Sequence, residues 1–154
     1  MSLAFRNVDV DPGAPVDAWP YEAVVAVIER GTIGDWLRLT RAIDADPWGV
    51  VAREVEEYLG YEAPYGVGPL LARAIVRARR QAEESERHEV AREVAGLIAR
   101  SGLTTAELAR RVGTSRSRLS TYRSGRVVPS ATMMVRLRRA VEGAPAPPRR
   151  ALRG

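Results

Sequence analysis

The richest run of chemically capable side chains is LTTAELARRVGTSRSRLSTYRSGR, residues 103–126. Its polar groups are guanidiniums and hydroxyls, with Glu107 as the single carboxylate. Guanidiniums are donors only, and their planar fork suits a bidentate grip on an oxyanion such as phosphate. The rest of the chain offers little for catalysis. It has no Cys and one His, His88, and all 24 basic residues are Arg. That removes thiolate zinc sites, disulfides, Cys nucleophiles, paired imidazoles, the phosphate-loop lysine and Schiff-base chemistry. Glu83, Glu84, Glu86, His88 and Glu89 cluster in sequence, but a single His among mixed charges reads as solvated surface. The chemistry left is the holding of a polyanion; no catalytic residue, metal or cofactor is expected.

Two short helices must position these groups. Thr104 and Glu107 stand at the spacing of a capping box, which starts a helix at Thr105. Ala109 is small where a crossing helix must come close, and Gly113 stands where the chain must turn sharply. Leu108, Val112, Leu119 and Tyr122 supply the buried contacts. Helices over about 105–112 and 115–123 joined by a tight turn make a helix-turn-helix. The second helix of such a pair lies in the major groove and presents the side chains its core does not use. Arg116, Ser117, Ser120 and Thr121 are therefore expected to read bases, with Arg116 suited to a bidentate contact with guanine O6 and N7. Thr105, Arg118, Arg123, Ser124 and Arg126 lie at helix starts and in the turn beyond, where they would bind phosphates and set the register.

Residues 90 to 141 resemble the Cro/CI-type (XRE-type) helix-turn-helix domain. The stretch GTSRSRLSTYRSGRVVPS carries the likeness most strongly: turn glycine, Ser124-Gly125-Arg126 after the reading helix, Pro129 and the Ser130 cap fall in order. The resemblance implies double-stranded DNA as partner and an all-helical domain. Two positions depart from the family pattern. Thr105 stands where the family usually has Gln, and Ile98 and Arg123 stand where some members bury an Arg against a Glu, which leaves Arg123 to face phosphate.

Composition divides the chain. Residues 1–80 hold nine Arg against twelve acidic residues, whereas 81–154 hold fifteen Arg against seven Glu, so only the second half calls for a polyanion. Eight of the nine aromatics precede residue 66, which points to two separate cores. The total exclusion of Lys is what a gene rich in G and C would produce, and suggests a bacterial source.

Before the basic half, residues 1–18 read as a disordered arm. Helices are expected from Pro20 to Gly31, from Ile33 to Ile43, and from an Asp46 cap with Pro47 and Trp48 in the first turn through Leu59. Trp19, Trp36 and Trp48 are assigned to the core. GYEAPYGVGP, residues 60–69, is a loop, and a helical pattern resumes at Pro69. The polar residues 83–89 form a connector, crossed either by one long helix or by two that meet near residue 85. A last helix runs from Ser130 through Met133, Met134, Leu137 and Val141, and residues 143–154 read as a disordered basic tail.

The architecture expected is all-α: a small N-terminal helical bundle, residues 19–82, joined by a long or paired connector helix to the helix-turn-helix domain, residues 90–142. Small domains of this type bind two half-sites as dimers, so the N-terminal module is expected to supply homodimerisation or to bind a protein partner, with Tyr58, Tyr61 and Tyr65 as candidate contacts. The opening residues lack a signal-peptide pattern and AVVAVI is too short to span a bilayer, so no membrane partner and a cytoplasmic place on the nucleoid are expected. The expected function is a sequence-specific transcription regulator that represses. Its alternatives are an antitoxin-like autorepressor whose N-terminal half binds a toxin, and a nucleoid or scaffold protein that holds DNA with little sequence choice.

Overall fold

The computed structural model describes residues 8–143. They form seven α-helices and one 3₁₀ turn, and no strand occurs among the described residues. The chain divides into two compact units, residues 1–83 and 84–154, so the sequence-read connector at 83–89 falls at the division. Residues 1–7 of the expected arm and 144–154 of the expected tail lie outside the described residues.

In the first unit the 3₁₀ turn Val16–Ala18 precedes α1 (Tyr21–Arg30), α2 (Ile33–Ala45) and α3 (Val50–Tyr61), with the start of α4 (Val67–Ser101) completing the bundle. Thr32 and Asp35 close a capping box at the start of α2, which holds its first turn without tertiary help. The core is Val24, Val27, Ile28, Leu39, Ile43, Val51, Val55, Leu71 and Ile75, all essentially removed from water. Trp19 is buried with them, and the Arg38 guanidinium lies 4.6 Å from its ring centroid. Trp36 packs at the edge and donates its indole N–H to the carbonyl of Val27, 2.9 Å away, tying α2 to α1. From residue 8 onward the segment read as an arm packs on this core through Val8, Val10, Ala14 and Val16. These alternating apolar side chains find a surface to cover, which short-range signals such as Pro12 and Gly13 do not show.

Two assignments near α3 need correction. The helix begins at Val50 with Gly49 as its N-cap, and Asp46, Pro47 and Trp48 form a turn ahead of it. Trp48 therefore stands outside the helical stripe, 45% exposed, rather than in the core. Tyr58, expected as a partner contact, is a core residue whose hydroxyl donates to Glu29 at 3.1 Å. Burial first, then that carboxylate, raises its phenol pKa. Tyr61 and Tyr65 are exposed, as a contact role requires.

The choice between one helix and two over 69–101 is settled as one: α4 runs unbroken from Val67 to Ser101. It gives Leu71, Ile75 and Ala78 to the first core and Val94 and Leu97 to the second, while residues 83–89 between them are all exposed. Glu, Arg and Gln are strong helix formers without a breaker among them, so the backbone carries through where no core supports it.

The second unit packs the end of α4 with α5 (Thr105–Val112), α6 (Arg116–Arg123) and α7 (Ala131–Glu142) around Val94, Leu97, Leu108, Ala109, Leu119, Tyr122 and Leu137. Met133 and Met134 fill this core rather than standing out as a ligand pair. Arg138 donates to Glu93 at 2.8 Å and so ties α7 to α4. The guanidinium holds the Glu93 carboxyl below its ordinary range, and the carboxylate in turn raises the Arg138 pKa.

Candidate nucleic-acid interface

The start of α5 is built as its sequence requires. The Thr104 hydroxyl accepts from the Glu107 amide at 3.2 Å, and the Glu107 carboxylate accepts from the Thr104 amide at 2.8 Å and from its hydroxyl at 2.8 Å. Those bonds, the backbone one first, lower the Glu107 pKa. The helix stops at Gly113, whose φ of 76° is the left-handed conformation that a side chain resists. There Gly113 N–H reaches Arg110 O at 3.2 Å and Thr114 N–H reaches Ala109 O at 2.9 Å, the two bonds of a Schellman ending. Ser115 then caps α6, its hydroxyl accepting from the Arg118 amide at 3.0 Å. Ser115 is thus the cap, and the helix proper begins one residue later than the sequence suggests.

Between α5 and α6 the small side chain of Ala109, 1% exposed, lies in the same core as Leu119. With Leu119 and Tyr122 turned inward, the 100° step of a helix sorts the remaining residues of α6 into three sets. Ser117 and Thr121 share the outward face with Ser124 at its end. Arg116, Ser120 and Arg123 lie at spacings of four and seven along one flank. Arg118 takes the other flank, where its Nε donates to the Tyr122 hydroxyl at 3.3 Å. Of the four expected readers, Arg116 and Ser117 are exposed and Ser120 and Thr121 partly so.

Among the expected phosphate contacts, Arg118, Arg123, Ser124 and Arg126 are exposed, and Thr105 is half-buried as the first residue of α5. None of Arg116, Arg118, Arg123 or Arg126 has a carboxylate within ion-pair distance among the described residues. The turn after α6 passes through Gly125 at φ 76° and is held by Val127 N–H on Thr121 O at 3.3 Å. A Cβ placed on Gly125 would sit 3.5 Å from that of Ala91, so this turn lies directly on α4.

Residues 97–142 match the family model described as helix-turn-helix. The C-terminal unit carries a helix-turn-helix domain. This helix-turn-helix is of the Cro/CI type, a family of DNA-binding regulators rather than of enzymes. The match starts within the last turns of α4 and ends at the last residue of α7, taking in the stretch GTSRSRLSTYRSGRVVPS and all of the resembling segment but residues 90–96. No curated protein and no solved structure matches the chain. Among the described residues no helix is long and apolar enough to cross a membrane, and no group of acidic or His side chains is placed to hold a metal ion.

Reading by sequence passed over a cleft of about 530 Å³ beside the end of α6, lined by Ser85, His88, Ala91, Arg92 and Ala95 of α4 with Arg123 and Ser124. The signal was present in the spacing, since positions 85, 88, 92 and 95 fall on one side of a helix. It was hidden because residues 83–89 read as a solvated connector.

Proposed function

We propose that this protein is a sequence-specific DNA-binding transcription regulator that binds as a dimer and represses by occluding a promoter. The observation that carries this reading is α6 itself: Leu119 and Tyr122 anchor it while Arg116, Ser117, Ser120 and Thr121 are left to the major groove. Arg116 reads guanine, and Arg118, Arg123, Ser124, Arg126 and the α5 start at Thr105 hold the phosphates on either side.

The reading is tested with duplexes selected from a random pool by the full chain. Arg116→Ala should weaken binding to the selected site by about 1 to 3 kcal/mol and relax preference at one base position, while binding to random duplex barely changes. An equal loss on every sequence would make Arg116 a phosphate contact and remove the sequence-specific reading at that residue.

The N-terminal unit gives the dimer its interface in this reading. Tyr61 and Tyr65 are 80% and fully exposed, rigid aromatic groups of the kind that anchor protein contacts. Tyr58 is withdrawn from that set because it is buried.

A further inference from the structure

The cleft beside the recognition helix lies mostly on residues upstream of the matched helix-turn-helix segment. We propose that it seats a DNA backbone phosphate next to the base pairs read by α6, with Arg92 and Arg123 as the charged donors and His88 and Ser85 as hydrogen-bond donors around them. The inference rests on the DNA-binding reading above and extends its footprint onto the exposed middle of α4.

Three observations carry it. First, the lining is donor-rich: two guanidiniums, an imidazole and the Ser85 hydroxyl line one open space, the Ser124 hydroxyl beside them being bonded to Thr121 O, and no carboxylate lines it. Glu84 and Glu89 stand on the same stretch of α4 but outside the cleft. Second, both guanidiniums are exposed and neither has a carboxylate within ion-pair distance among the described residues. Arg79 of α4 and Arg138 of α7, by contrast, are engaged by glutamates. Third, the cleft continues the DNA-facing flank. Arg123 shares that flank of α6 with Arg116 and Ser120, and the Gly125 turn rests on Ala91, so α4 reaches the strand that passes the end of the recognition helix. A phosphodiester answers this set of groups: it is anionic, presents acceptors only, and accepts the fork of an Arg.

The test is a salt titration of the full chain on its selected duplex, comparing Arg92→Ala and His88→Ala with Arg87→Ala. Arg87 is exposed on the same helix but outside the cleft, so its removal costs the same charge without the contact. Arg92→Ala should make the slope of log K against log salt shallower by about 0.9, the value of one phosphate contact, and lower affinity equally on selected and random duplex. His88→Ala should lower affinity in the same sequence-independent way. Arg92→Gln, which keeps the aliphatic stem and a polar end but removes the charge, should reproduce the Arg92→Ala slope. If Arg92→Ala matches Arg87→Ala, or leaves the slope unchanged, the cleft seats no phosphate and the proposal falls while DNA binding stands. If the unaltered chain binds no duplex at all, the reading beneath it falls instead.

Discussion

Ser117 and Thr121 share the outward face of α6 but are not equivalent as the base readers proposed above. The Thr121 hydroxyl donates to the Arg118 carbonyl at 2.6 Å, so its proton is committed to the helix and only its lone pairs and methyl remain for a base. Ser117 makes no such bond and can donate or accept. Ser124 is committed like Thr121, its hydroxyl donating to Thr121 O at 3.1 Å. At Gly113 the backbone decides. Gly113→Ala should destabilise the C-terminal unit by about 1 to 2 kcal/mol through the left-handed φ alone, since only Arg136 comes near the added Cβ, at 3.8 Å. Thermal unfolding monitored on the full chain would show this, and an unchanged midpoint would mean that the turn relaxes. These residues were legible in sequence because caps and turn glycines act over three or four positions. Which hydroxyl is already spent was not legible, since that depends on rotamers set after the helix forms.

At the scale of elements, α4 shows where local reading stops. Its polar middle carries no breaker, so propensity alone allows it to continue, yet only two cores at its ends fix one helix rather than two. The start of α3 failed for the opposite reason. Asp46 and Pro47 carry strong helix-start signals, but Arg79 of α4 donates to the Pro47 carbonyl at 3.0 Å and holds that residue in a turn. The same guanidinium grips Glu56 of α3 through two bonds of 2.6 and 2.7 Å. Those bonds hold the Glu56 carboxyl below its ordinary pKa and raise that of Arg79. A depressed carboxyl contributes stability above its unfolded pKa and loses it as pH falls through the lower folded value. Glu56→Gln should therefore make unfolding of the N-terminal unit less steep in acid, with most of the difference from the unaltered protein present at neutral pH and vanishing toward low pH. A constant difference at all pH values would assign the effect to packing. The pair is half in water, which keeps its contribution modest.

For the whole molecule, the division of charge and aromatics along the sequence corresponds to two units with separate cores, one of them with the guanidinium-rich face. The basic half is legible as a candidate DNA-binding half because phosphate binding needs only donors at helical spacing. The N-terminal half did not, because buried and partner-facing aromatics look alike in sequence; Tyr58 and Trp48 exchanged places for that reason. If Tyr61 and Tyr65 hold the dimer, Tyr61→Ser with Tyr65→Ser should shift the full chain from dimer to monomer in sedimentation and should weaken binding to a two-half-site duplex more than to a single half-site. An unaltered sedimentation pattern would place the interface elsewhere.

The central claim is that α6 selects sequence, and it is tested most directly by binding of the purified full chain to fragmented genomic DNA from its source, at physiological salt and at about double that. The account predicts a small number of sharp peaks that share a two-fold motif and persist, weakened, at the higher salt, because base contacts survive where phosphate contacts are lost. Broad coverage without a shared motif, collapsing as salt rises, would contradict it.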